Sequence, residues 1–183
     1  MQPQEITEAM KRMPSELCAY FEVPVSSDEP VLAAARSAGA RVKVRTGGVT
    51  PQAFPTCAEL AGFLYRCAAV GVTFKATAGL HHPIRSVHRL TYADDGPQGT
   101  MHGFLNVLLT AAGVRAGMTA EEAARLLDET SPAAIQFDEN GASWGKHRWS
   151  TDHLRATRQD FAISFGSCSF QEPIDDLKAI GLL

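Results

Sequence analysis

Two lysines, Lys43 and Lys75, stand where their type and spacing could do chemistry. Each alternates with apolar residues in a short run, "RVKVRTGG" and "TFKATAGLHHP", and each strand runs into glycine. Side chains alternate across a strand. Val42 and Val44 therefore take one face and Lys43 and Arg45 the other, and Phe74 and Ala76 oppose Lys75 and Thr77. In "ELCAYFEVP" the same rule sets Phe21 and Val23 against Tyr20 and Glu22. In "FAISFGSCSF" it sets Ile163 and Phe165 against Ser164 and Gly166. If these strands are neighbours, two amines, a guanidinium and a carboxylate share one face.

Two lysines together in a partly desolvated pocket repel each other's charge, so one can be neutral near neutral pH. A neutral amine attacks a carbonyl and forms a Schiff base. The second ammonium can assist proton transfer, and Glu22 can orient or relay protons. Arg45 suits a fixed anion, because its guanidinium stays protonated and presents a planar fork. The pattern points to a small anionic carbonyl compound as substrate. The bland alternative is an ion-pair network that fills the interior of a barrel.

The histidines allow a second chemistry. His81 and His82 follow the Lys75 strand, and His102 precedes the next helix. Three imidazoles could hold zinc with Asp138 or Glu22, although the spacing matches no standard signature. His81 or His102 could instead transfer protons or hydrogen-bond to substrate. His82 and Arg85 are candidate anion contacts, and Arg85 could equally shape its loop. "FGSCSFQEP" sets small residues ahead of a helix N-terminus, where backbone N–H groups bind anions. Ser167 and Ser169 are therefore candidate ligand contacts, with a tight turn at Gly166 as the alternative. Cys168 has no histidine adjacent in sequence to activate it and is set aside. Asn106 could cap or reach the site. Trp144 and Trp149 read as packing residues.

The elements that must position these groups alternate. A short helix over residues 5–13 stops at Pro14, and a strand spans 16–24. "SSDEPVLAAARSAGA" gives a helix start, an Ala-rich helix and Gly39 as its stop. Strand 41–46 follows. Thr56 then caps a helix with Glu59 three residues on and Gly71 as its end. Strand 72–77 comes next. Residues 86–100 read as a long polar loop, and 101–117 and 119–130 as two helices. A hairpin turns at Glu139-Asn140-Gly141. A helix from "STDHLRATRQDF", a last strand and a closing helix with Pro173 in its first turn complete the chain.

Strand–helix alternation predicts parallel pairing with right-handed crossovers. A charged face on each strand suits the inside of a parallel barrel, whose outer face meets helices. Four βα units are too few, since a complete (β/α)8 barrel takes about 250 residues. The fold class is therefore α/β, with residues 1–183 as one domain resembling the C-terminal half of a TIM-like barrel. A helical and hairpin insertion lies at about 86–150. The alternative is a small open α/β sheet. For the half barrel, an N-terminal half is missing or supplied by another chain, and a true half has unpaired edge strands, for which self-association into a homo-oligomer or instability is the physical expectation.

The 183 residues allow one core of ordinary size, with 45% hydrophobic and 20% charged residues and a formal charge of −3. That charge offers no general attraction to nucleic acid or to an anionic membrane. The N-terminal stretch lacks the apolar core of a signal peptide, and no run is long enough to span a bilayer. The expected location is cytoplasmic. Four cysteines without CxxC spacing read as reduced thiols.

"VKVRTGG" followed by "FKATAGL" resembles the two consecutive lysine strands of the deoxyribose-phosphate aldolase family, class I aldolases with a (β/α)8 barrel. That family has a K-x-S-T-G segment with the Schiff-base lysine and a later K-A-S-G-G segment with an assisting lysine. The resemblance, over about residues 41–83, implies Lys43 as the Schiff-base residue and Lys75 as its partner. Thr46, Gly47, Thr77 and Gly79 fall in the adjoining turns, and Thr46, Gly47, Gly48 and Thr77 are candidate anion contacts. Arg45 departs from the family's small hydroxyl residue, and "LHHPIR" replaces the usual continuation. The stretches "KVRTGG", "FKATAGLHHP", "MHGFLN" and "SFGSCSF" also resemble one uncharacterised bacterial family, a resemblance that carries no activity with it.

Three functional readings follow. The first is an aldolase-like carbon–carbon lyase using Lys43, Lys75, Glu22 and His81, with no cofactor. The second is a metal-dependent lyase or hydrolase using His81 and His102. The third is a non-catalytic barrel fragment or subunit.

Overall fold

The computed structural model describes residues 1–93 and 95–183. Its centre is a four-stranded sheet of β1 (Tyr20–Val23), β2 (Arg41–Arg45), β3 (Phe74–Thr77) and β9 (Ala162–Gly166), in that order and all parallel. Helices α1 (Pro3–Lys11), α2 (Glu29–Ser37) and α3 (Cys57–Val70) alternate with the first three strands. The local signals are those of the sequence. Asp28 accepts from Val31 N to cap α2. Thr56 and Glu59 form the reciprocal capping box of α3, which Gly71 ends at φ 74°.

One sheet face makes the core. Val23, Val42, Val44, Phe74, Ala76 and Ala162 are buried there, under Leu60, Phe63, Leu64 and Cys67 of α3. Phe63 meets Phe74 edge-on at 5.8 Å, and Phe74 meets Phe161 at 5.1 Å. Each such side chain contributes roughly 1.5–3 kcal/mol on burial. None of the strand residues on the opposite face is buried. Alternation thus makes each strand half core and half accessible surface, as its sequence implies.

Between β3 and β9 the chain differs from expectation. The stretch read as a polar loop holds a hairpin of β4 (Ser86–Arg89) and β5 (Gln98–Met101). Its strands have few apolar residues and lie at the surface, so the hydrophobic alternation that marks a strand is weak. Helices α4 (Phe104–Arg115) and α5 (Ala120–Asp128) follow. The expected hairpin is a three-stranded meander of β6 (Ile135–Asp138), β7 (Gly141–Trp144) and β8 (His147–Ser150). Helix α6 (Thr151–Asp160), capped by Ser150, leads into β9, and α7 (Gln171–Ala179) closes the chain. The register between β3 and β9 slips at Phe74/Lys75. Ala162 therefore pairs with Phe74, and Ser164 pairs with Lys75.

Candidate functional site

The three strand pairings put the sequence-derived residues in one array. Glu22 is the register partner of Lys43, Lys43 of Lys75, and Lys75 of Ser164. Tyr20, Arg41, Arg45, Thr77 and Gly166 share that face, which carries four cations and one carboxylate. Lys43 Nζ lies 2.5 Å from Glu22 Oε2. That hydrogen bond chiefly holds the Glu22 carboxyl below the usual range, helped by the charges of Lys43 and Arg45 and opposed by burial. Lys75 Nζ sits 4.1 Å over the Tyr20 ring, whose negative face attracts an ammonium. Arg41 donates to the Tyr20 hydroxyl at 3.0 Å.

Clefts open beyond the lysines, at the C-terminal ends of the strands. One, of about 380 Å³, is lined by Arg45, Gly48, Thr77, Gly79, His81, Gly166, Ser167 and Cys168. A second, of about 560 Å³, lies between Glu22, Arg45, Phe54 and Glu59. Lys43 and Lys75 line neither, being two residues before Arg45 and Thr77 on their strands.

Several candidate contacts are structural. Thr46 is buried, and its hydroxyl lies 2.8 Å from the carbonyl oxygen of Ala78, to which it donates, and 3.2 Å from that of Thr77. It ties the end of β2 to the turn after β3, where Ala78 and Gly79 both take positive φ, 65° and 71°. Gly47 and Gly79 are each packed so closely on the Phe54 ring that a Cβ would fall 2.3 and 2.7 Å from it. Glycine there admits the ring rather than a ligand. The Ser169 hydroxyl accepts from Glu172 N in the first turn of α7. Arg85 is held by Asp128 at 3.0 Å and lies 3.4 Å from His102 Nδ1. Asn106 is buried, accepting from Arg85 N and donating to the Leu126 and Glu129 carbonyls.

The histidines do not converge on one point. His102 is fully buried, with Nε2 2.7 Å from the Pro55 carbonyl. Burial pushes its pKa down first, and the Arg85 charge acts in the same sense. Asp138 pairs with Arg148 in the meander. Among the described residues, no three metal-ligating side chains gather as a metal site requires.

A cluster missed in the sequence surrounds His81. His81 and His82 reach carboxylates one helical turn apart on α7. His81 Nδ1 lies 3.1 Å from Glu172 Oε2, and His82 Nδ1 lies 2.5 Å from Asp176 Oδ2. His82 stacks on His88 with ring centroids 3.3 Å apart. Burial, then the His82 charge, lower the pKa of His88. Ser167 Oγ lies 3.0 Å from His81 Nδ1, and Cys168 Sγ lies 3.7 Å from both nitrogens of that ring. The Tyr92 hydroxyl is 3.5 Å from the same sulfur. This partnership is long-range: 87 positions separate Cys168 from His81.

Comparison with protein-family models, with curated proteins and with solved structures returned no match.

Proposed function

We propose that the protein is an enzyme acting on a small anionic carbonyl compound by aldolase-like carbon–carbon bond cleavage or formation through a lysine Schiff base. The observation that supports it is the direct opposition of Lys43 and Lys75 on neighbouring parallel strands, with Glu22 in contact with Lys43. Lys43 is the attacking amine. It must first lose a proton, which the charge of a second lysine favours, with Glu22 orienting the amine and relaying the proton. The amine then adds to the carbonyl carbon, water leaves, and the resulting iminium withdraws electrons from the bond to be broken. Lys75, held over Tyr20, is the second proton carrier. Arg45 holds the anionic end of the substrate, about 6.6 Å further along the strand.

The same reading takes the sheet as four consecutive strands of a TIM-like barrel, completed by a second copy or by a separate half. Its support is the all-parallel order, with no further strand paired to β1 or β9 among the described residues. No helix among the described residues is long and apolar enough to cross a membrane. A cytoplasmic setting belongs to the proposal.

The test is borohydride trapping with a panel of small phosphorylated and carboxylated aldehydes and ketones, read by peptide mass spectrometry. Reduction is expected to fix a substrate carbon on Lys43, and Lys43→Ala to abolish that adduct. A panel that labels neither Lys43 nor Lys75 overturns the reading.

A further inference from the structure

We propose that Cys168, His81 and Glu172 form a second catalytic cluster, a thiol nucleophile with its base and orienting carboxylate, which accepts the acyl group of a small ester or thioester. Three observations carry it. The first is proximity. The Glu172 carboxylate and the Ser167 hydroxyl lie 3.1 and 3.0 Å from Nδ1 of His81, and the Cys168 sulfur lies 3.7 Å from both nitrogens of the ring. With the Nδ1 proton directed to Glu172, Nε2 is the unprotonated one of the two nitrogens near the thiol. A nucleophile, a base and a group orienting the base are the parts of covalent acyl transfer.

The second observation is access. Cys168 is exposed, and with His81, Leu90, Tyr92 and Met101 it lines a cleft of about 300 Å³. The third is a hydroxyl in place. The Tyr92 hydroxyl lies 3.5 Å from the Cys168 sulfur, and a phenol is protonated at neutral pH.

The step balances without an external oxidant. The Sγ proton passes to His81 Nε2, and the sulfur bonds to the carbonyl carbon as the carbonyl π pair moves to oxygen. The Tyr92 hydroxyl donates to that oxygen. The pair returns, the bond to the leaving alkoxide or thiolate breaks, and that group departs with the proton from His81. The acyl group remains as a thioester on Cys168. Water, deprotonated by His81, then releases the acid and restores the thiol.

The experiment treats the full chain with p-nitrophenyl acetate at neutral pH and follows acetylation of each cysteine by peptide mass spectrometry. Cys18, also exposed, is the internal reference, and buried Cys67 reports unfolding. Cys168 is expected to acetylate at least about tenfold faster than Cys18. His81→Gln is expected to slow Cys168 by about 10²-fold, leaving Cys18 unchanged and Cys67 unreacted. Glu172→Gln slows it less. Equal rates at Cys18 and Cys168 in the wild-type chain overturn the proposal, and so does an unchanged Cys168 rate in His81→Gln. Neither result depends on borohydride trapping at the lysines.

Discussion

At the scale of single residues, His102 shows how burial becomes a pH dependence. Its native pKa lies below the ordinary imidazole value because burial disfavours the cation. The unfolded chain therefore takes up a proton at His102 below about pH 6.5, while the native chain resists it. The unfolded state then holds more protons, so the His102 contribution is complete above about pH 6.5 and declines as pH falls through the native pKa. Urea denaturation at about pH 7.5 and about pH 5.5 should show a loss of stability on acidification that is smaller in His102→Gln. Equal losses in both proteins would remove His102 as a cause. Thr46 is the other telling single position. Replacing it by valine leaves the Ala78 carbonyl without its 2.8 Å donor and should cost about 1–3 kcal/mol in chemical denaturation. Thr46→Ser keeps the hydroxyl and should retain most of that stability.

At the scale of elements, the fold was legible wherever the local signal was also the cause. The Thr56–Glu59 box, the Asp28 cap and Gly71 set the helix ends near where they were expected. Period-two alternation in "RVKVR" and "FKAT" identified the strands and the face that carries both lysines. Strands β4 and β5 were missed, because "SVHR" and "QGTM" offer little apolar alternation. Strand β8 was missed because "HRWS" is short and runs directly into α6. The lysine array was readable from neighbouring segments. The cysteine–histidine contact was not, because it depends on β9 returning beside β3, and local spacing does not encode that. Motif position alone does not distinguish a turn built to hold substrate from one packed around the Phe54 ring, as at Gly47, or tied by a buried hydroxyl, as at Thr46.

At the scale of the whole molecule, the sheet ends at β1 and β9, with no further strand paired to either among the described residues. An unpaired edge exchanges its outward amides with water, whereas a central strand is protected on both sides. Hydrogen exchange read by mass spectrometry should find β2 and β3 slowest and β1 and β9 faster. Protection at the edges that rises with protein concentration would show that another copy covers them. The placement of β9 has a further effect. The thiol, its neighbouring serine and the carboxylate all come from the end of β9 onward, whereas the imidazole that serves them follows β3. The proposed acyl transfer therefore requires β9 beside β3, and a protease cut ahead of Ser167 would sever the thiol, the serine and the carboxylate from the imidazole.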